Sequence, residues 1–300
     1  MFKSGFVAIV GKPNAGKSTL MNNIIKHKIA ITSPKAQTTR NKIEGIYNDE
    51  RMQVIFIDTP GIHKSTTKLG VELNKMAFSS TRDVELTLLI VDASKRCDEL
   101  DDSVLERLKS VKSPIVLVLN KIDMLNKEQL IKKTLEWNKK GEFAAIVPIS
   151  ALKDDNIEEL KNVIYEYLPE GPMYYDSDAI CSYPERFLVS ELIREKILFF
   201  TQEEIPHSVA VVTDSMKKKG DTYIVNATII VDRDSKKGII IGKGGSMLKK
   251  IGSAARATIE DLLGYKIYLE LFVRVEKDWK NSNRYLKEFG YKTGSDINIS

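Results

Sequence analysis

Short, largely apolar runs alternate with amphipathic stretches through the first half of the chain, and the pattern changes near residue 170. Phe6-Val7-Ala8-Ile9-Val10, Met52 to Ile57, Leu86 to Val91, Ile115 to Leu119 and Ala145 to Pro148 predict strands. Runs of this kind suit a parallel sheet buried on both faces. Between them, Thr19 to Ile25, Leu100 to Val111 and Asn156 to Leu168 carry apolar residues at helical spacing and predict helices. Lys42 to Tyr47 predicts one more strand, joined to the next by the turn-forming Asn48-Asp49-Glu50-Arg51. This alternation predicts a doubly wound α/β sheet with its ligand at the strand C-terminal ends. Pro169-Glu170-Gly171-Pro172 then breaks the pattern, and the polar, tyrosine-bearing Met173 to Ser182 reads as a linker. Beyond it, Pro184 to Phe200 predicts a helix, while Ser208 to Thr213, Tyr223 to Val231 and Lys266 to Val275 predict strands. Lys217-Lys218-Lys219-Gly220-Asp221 reads as a turn. The expected division is residues 1–170, a linker over 171–184, an α+β domain over 185–278 and a tail over 279–300.

Composition narrows the class. Of 300 residues, 42% are hydrophobic and 29% charged, which suits a globular protein with a sizeable core. The formal net charge is only +5, so a nucleic-acid partner has to be argued from a local patch. Cys97 and Cys181 stand in no metal-ligand spacing and read as reduced thiols of a cytoplasmic protein. The first strand begins too close to Met1 for a signal peptide to be expected. No apolar run approaches the ~18 residues that span a bilayer; peripheral contact with the inner membrane face stays open.

Gly11-Lys12-Pro13-Asn14-Ala15-Gly16-Lys17-Ser18 fits the phosphate-binding pattern G-x-x-x-x-G-K-S/T, between a predicted strand and a predicted helix. That context aims backbone N–H groups and a helix dipole at a phosphate chain. Lys17 is expected to reach the β- and γ-phosphates, and Ser18 to offer its hydroxyl to Mg2+. The polar connection Lys28 to Arg40 predicts a mobile loop. Its Thr39, with Thr38 as the alternative, is the candidate that completes the Mg2+ shell when the γ-phosphate is present. Asp58-Thr59-Pro60-Gly61 ends the next strand: Asp58 is placed to hold Mg2+ through its water shell, and Gly61 to donate its N–H to the γ-phosphate. The catalytic candidates are therefore Lys17, Thr39, Asp58 and Gly61. Ile62 stands where many GTPases place a water-orienting glutamine. Isoleucine cannot bind water, so hydrolysis is expected to be slow or organised differently. The neighbouring His63 reads as a solvated loop side chain, not a base.

Asn120-Lys121-Ile122-Asp123 follows a buried strand and reads as a base-recognition tetrad. A carboxylate at Asp123 accepts from both N1–H and the exocyclic amine of guanine, which adenine cannot donate. Ser150-Ala151-Leu152 follows the last predicted strand, where backbone can meet the guanine O6. GTP and GDP are the expected ligands.

In the second half, Gly242-Lys243-Gly244-Gly245 matches the G-x-x-G loop of KH domains, in which glycines let backbone lie against nucleic-acid backbone. From Lys236 to Arg256 there are six basic residues and no acidic one, the local patch that the net charge conceals. The candidate RNA contacts are Lys236, Lys237, Ile241, Gly242, Lys243, Gly244, Gly245, Ser246, Lys249 and Lys250. Trp279 and Tyr285 offer rings that could stack on bases, but aromatics near a C-terminus more often dock it to the core.

Taken in order, these motifs and the C-terminal Ile240-Ile241-Gly242-Lys243-Gly244-Gly245 resemble the Era family, bacterial ribosome-assembly GTPases with a C-terminal KH domain. The resemblance covers nearly the whole chain. It implies a P-loop NTPase domain followed by a type II KH fold, helix-strand-strand-helix-helix-strand. It implies binding to the single-stranded 3′ region of small-subunit rRNA, a GTP-dependent role on the small ribosomal subunit, and a monomer. An apolar residue at Ile62 follows the family, and Asn14 matches the wider group's asparagine that helps place K+ beside the phosphates. One alternative stays open: a GTPase of an RNA-modification complex whose C-terminal half docks a protein partner.

Overall fold

A computed structural model of the chain describes residues 1–33, 35, 38–202, 205, 206 and 208–291. Pro34, Ala36 and Gln37 of the expected loop and residues 292–300 of the expected tail lie outside the described residues. The described residues form two compact units: those within 1–30, 39–65 and 73–182 make the first, and those within 31–38, 66–72 and 183–291 the second.

The first unit is built on strands β1 (Lys3–Val10), β2 (Ile43–Asn48), β3 (Met52–Asp58), β4 (Leu86–Asp92), β5 (Ile115–Asn120) and β6 (Ala145–Ile149). Their order is β2-β3-β1-β4-β5-β6. All neighbours run parallel except β2, which pairs antiparallel with β3 at the edge. The β3 run is buried at every position, as a strand covered on both faces requires. The helices are α1 (Lys17–Ile25), α2 (Lys68–Ser79), α3 (Glu99–Leu108), α4 (Lys127–Asn138) and α5 (Ile157–Tyr167). Strand β1 lies between β3 and β4, so the chain reverses its direction of travel across the sheet there. A crevice opens at such a switch point, beyond the strand C-termini. Register aligns Ile9 with Asp58, Val10 with Leu89, Asp92 with Asn120 and Asn120 with Ile149. Motifs far apart in sequence therefore end at one level.

The stretch expected as linker belongs to the first unit as far as Ser182. Gln53, buried within β3, holds it: its Oε1 accepts from the N–H groups of Tyr174 (2.6 Å) and Tyr175 (3.0 Å).

The second unit contains α6 (Glu185–Phe200), β7 (Ala210–Lys219), β8 (Thr222–Val231), α7 (Asp234–Ile241), α8 (Ser246–Leu263), β9 (Lys266–Val275) and α9 (Asn283–Glu288). Up to β9 this is the helix-strand-strand-helix-helix-strand order of a type II KH fold. The sheet order is β7-β8-β9, with β7 antiparallel and β9 parallel to β8. Val225, Ala227 and Ile229 alternate inward on β8, and Ile251, Ala255 and Ile259 recur every fourth residue on α8; all six join one core cluster. Lys217 to Lys219, expected in a turn, are strand instead, paired with Thr222 to Ile224. Cross-strand pairing outweighs lysine's weak strand preference, leaving Gly220-Asp221 as the turn. Trp279 is fully buried and its indole N–H donates to the Ser208 carbonyl at 3.1 Å, so this ring docks the tail instead of facing solvent.

Candidate nucleotide site and candidate RNA-binding loop

The phosphate loop joins the end of β1 to α1. Gly16 has φ of 102°, and a Cβ on it would stand 2.1 Å from Asn120 Nδ2, so a side chain is excluded by both backbone and space. Lys17 is 5% exposed. Its ammonium donates to the carbonyls of Gly11 (3.2 Å) and Lys12 (3.0 Å). Burial pulls its pKa down to about 8, opposed by the charge of Asp58.

Ser18, Thr39 and Asp58 converge from three segments. The Ser18 hydroxyl donates to Asp58 Oδ2 at 2.6 Å and lies 2.9 Å from Thr39 Oγ1, which is itself 3.4 Å from Asp58 Oδ2. Burial pushes the Asp58 carboxyl up, opposed by Lys17 and by the Ser18 and Thr39 hydrogen bonds. Among the described residues, the buried Asp58 Oδ1 has no hydrogen-bond donor. An oxygen-only set with an unsatisfied carboxylate oxygen fits a hard cation such as Mg2+. Thr38 is not part of this cluster; its hydroxyl donates to the Lys35 carbonyl at 2.7 Å.

The rest of the Asp58-Thr59-Pro60-Gly61 turn is tied to the phosphate loop. Thr59 donates to the Ile9 carbonyl at 2.8 Å, and the Ile62 N–H to the Gly11 carbonyl at 3.1 Å. The Ile62 side chain is 4% exposed and packs with Val10, Leu89 and Val91, so it holds the turn closed and orients no water. His63 Nδ1 lies 2.9 Å from the Gly61 carbonyl, and the residue's backbone is clamped by Asn74.

Asn120 acts as a clamp: its Nδ2 donates to the Ala15 carbonyl at 2.8 Å, while its Oδ1 accepts from Lys121 N (2.8 Å) and Ala151 N (3.0 Å). Ser150 donates to Asp123 Oδ1 at 2.6 Å, which fixes an otherwise exposed carboxylate. Lys121 donates to the Asn14 carbonyl (2.8 Å) and to Asp92 Oδ2 (2.7 Å). Two features escaped the sequence reading. Asp92 orients Lys121, and the pairing of Asp92 with Asn120 across β4 and β5 was the available signal. Lys12 turns its ammonium to Asp98 and Asp101, both at 2.8 Å; these carboxylates also form the capping box of α3.

In the second unit, α7 ends at Gly242 and α8 begins at Ser246. Gly244 has φ of 59°, and a Cβ there would meet nothing within 4 Å. Helix α8 carries neither a side-chain cap nor an acidic residue in its first turn, leaving N–H groups available to an anion. Lys243, Lys249 and Lys250 are exposed, and Lys237, Ile241, Gly242 and Gly245 half-buried. Lys236 departs from the expected set: it is 4% exposed and pairs with Asp232 at 2.9 Å. One helical turn separates the two residues, so the ion pair turns this lysine away from the basic surface.

Residues 6–121 match the family model described as 50S ribosome-binding GTPase, and residues 204–280 match the KH domain model. A crystal structure of an Aquifex aeolicus Era variant bound to GDP.AlF4- is 41% identical over 97% of this chain and 100% of that one, with a TM-score of 0.94. A structure of Era in complex with MgGDPNP and nucleotides 1506–1542 of 16S ribosomal RNA is 40% identical over the same shares, also at 0.94. The chain belongs to the Era family. It is a GTPase with a KH domain, and the likeness spans both units, not the nucleotide half alone.

Proposed function

We propose that this Era-family GTPase binds the single-stranded 3′ region of small-subunit rRNA through its KH unit and acts in assembly of the small ribosomal subunit. The observation that carries this is the full-length likeness to Era captured with MgGDPNP and 16S nucleotides 1506–1542. The alternative, a C-terminal half that docks a modification enzyme, receives no support from an uncapped helix start beside exposed Lys243, Lys249 and Lys250.

On this reading, Lys17 leaves the Gly11 and Lys12 carbonyls for the β- and γ-phosphates, its charge retained at neutral pH because its pKa is about 8. Backbone N–H groups of Pro13 to Ser18, proline excepted, cradle the phosphates. Ser18, Thr39 and Asp58 would hold Mg2+, which would supply neutralisation of the phosphate charge. The Gly61 N–H faces the γ-phosphate, and Thr59 and Ile62 tie that turn to the Ile9 and Gly11 carbonyls. Asp123 reads guanine, with Ser150 and Ala151 beside it. Asn14 serves K+, the cation that an apolar Ile62 leaves hydrolysis in need of; a faster rate in K+ than in Na+ at equal ionic strength is expected, and equal rates would remove Asn14 from that role. The protein works as a cytoplasmic monomer with peripheral contact at the inner membrane face; no helix among the described residues is long and apolar enough to cross a membrane.

The test is fluorescence anisotropy with an RNA of the small-subunit 3′ end and a scrambled RNA, in GDP and in a non-hydrolysable GTP analogue. The 3′-end RNA is expected to bind at least ~10-fold tighter than the scrambled one. Any difference between nucleotide states must appear as an equal effect of RNA on nucleotide affinity. Equal affinity for both RNAs would refute the rRNA assignment, and binding of neither would favour the protein-docking alternative.

A further inference from the structure

Residues 11–16 of the phosphate loop lie between β1 and α1 and belong to neither. Pro13 has no N–H, so the Lys12–Pro13 peptide cannot be tethered from its nitrogen. Yet Lys17 and Gly61, the two residues read as facing the γ-phosphate, both lean on this peptide. Its carbonyl accepts from the Lys17 ammonium at 3.0 Å and from the Ala15 N–H at 3.4 Å. On its proline side stands Gly61, where a Cβ would lie 2.7 Å from both Pro13 N and Pro13 Cα. A peptide unit is planar, so a turn of the Lys12 carbonyl disturbs both supports together.

The Lys12 side chain anchors this peptide. Its ammonium donates to Asp98 Oδ2 and Asp101 Oδ2, both at 2.8 Å. Backbone at the start of α3 locks the two carboxylates in turn. Asp98 Oδ1 accepts from the N–H groups of Leu100 (2.9 Å) and Asp101 (3.2 Å), and Asp101 Oδ2 from that of Asp98 (2.9 Å). That capping box is complete without a lysine, so α3 does not need Lys12. Nor is the clasp a strong source of stability: Lys12 and Asp98 stay 22% and 58% exposed, and ion pairs open to water contribute little. A lysine held this way also loses its rotamer freedom. What the clasp supplies is position, a loop side chain anchored on a capped helix end. We propose that Asp98 and Asp101 are positioning residues for GTP hydrolysis: through Lys12 they hold the Lys12–Pro13 peptide, and with it the Lys17 ammonium and the Gly61 turn, where they meet charge developing at the transferred phosphate. All of these residues lie within the first unit. The inference rests on the reading that Lys17 and Gly61 face the phosphates.

The test uses the full chain as wild type, Lys12→Met, Lys12→Arg, Asp98→Asn combined with Asp101→Asn, and Lys17→Ala. For each, kcat and KM for GTP are measured, with affinities for fluorescent GDP and for GDP with aluminium fluoride, a transition-state mimic, and a thermal melt. Asparagine keeps a side-chain oxygen for the capping N–H groups, so the double variant should fold. Lys12→Met removes a positive charge and the double variant removes negative ones, so a field acting through space would slow one and speed the other. Positioning predicts the same sign: kcat and capture of the mimic should each fall ~10-fold in both, since small misplacements of groups that act in the transition state cost this much or more. KM and GDP affinity should stay within ~2-fold, the mark of an interaction made only in the transition state. Lys12→Arg, whose fork can meet both carboxylates, should keep most of the wild-type kcat. Opposite signs in the two lesions, or wild-type kcat in both, would overturn the proposal. So would parallel loss of GDP and mimic binding with a lower melting temperature, which marks a merely structural role. A Lys17→Ala protein as fast as wild type would overturn the reading of Lys17 and the proposal with it, whereas a slow Lys17→Ala beside fast clasp variants would overturn the proposal alone.

Discussion

At the scale of single residues, the site depends on which partner each charge finds. Lys17 is the clearest case. Its ammonium rests on loop carbonyls and its pKa is about 8, below the ordinary lysine value, because burial penalises the charge. For the free protein the sign is plain. A lysine depressed on folding costs stability while it is charged, and that cost lifts as pH rises through about 8. Nucleotide binding runs the other way, since phosphates favour the charged form and raise the pKa. Binding should therefore take up a proton above about pH 8, and GTP affinity should fall as pH rises there. Calorimetry in buffers of different ionisation enthalpy measures this uptake; none at pH 8.5, or the same uptake in Lys17→Ala, would contradict it. Asp123 and Asn120 were legible as letters because their tetrad is contiguous. Asp92 and the Asp98–Lys12–Asp101 set were not, since a lone carboxylate in sequence says nothing of the lysine it will meet.

At the scale of elements, caps and loops decide what a helix end offers. Helix α3 closes its start with the Asp98–Asp101 capping box, whereas α8 starts open after Gly245. Gly244→Asp probes that difference. Aspartate tolerates a left-handed conformation better than most residues, and a Cβ at Gly244 meets no atom within 4 Å. The variant should therefore still fold, with a melting temperature lowered by roughly a few degrees by the left-handed backbone, and with unchanged GTP affinity. A like charge about 4 Å from a phosphate costs on the order of 1 kcal/mol even in bulk water, so RNA affinity should fall at least ~5-fold, with part of the loss recovered at high salt. Anisotropy with the 3′-end RNA checks this, and wild-type affinity in the variant would make the loop structural. Elements with a clear apolar pattern, such as the continuous runs of β3 and β5 and the helical spacing of α5, were readable from the chain. The end of β7 was not, because three consecutive lysines resemble a turn until β8 lies beside them.

At the scale of the molecule, sequence alone determined the order of two folds and the addresses of the nucleotide motifs. Phosphate loop, Asp58 turn, guanine tetrad and G-x-x-G are each short contiguous segments whose backbone shape is set by local residues, so they can be recognised before anything is folded. Tertiary structure decided everything that depends on a distant partner. It made residues 171–182 part of the first unit by giving Tyr174 and Tyr175 the buried Gln53 as acceptor. It removed Lys236 from the basic surface by pairing it with Asp232, and it buried Trp279 against Ser208. It placed the Thr39 hydroxyl beside Ser18 and Asp58 and turned the hydroxyl of the adjacent Thr38 to the Lys35 carbonyl. Local chemistry is written in order along the backbone; the partner of a buried charge is known only once folding has excluded water from around it.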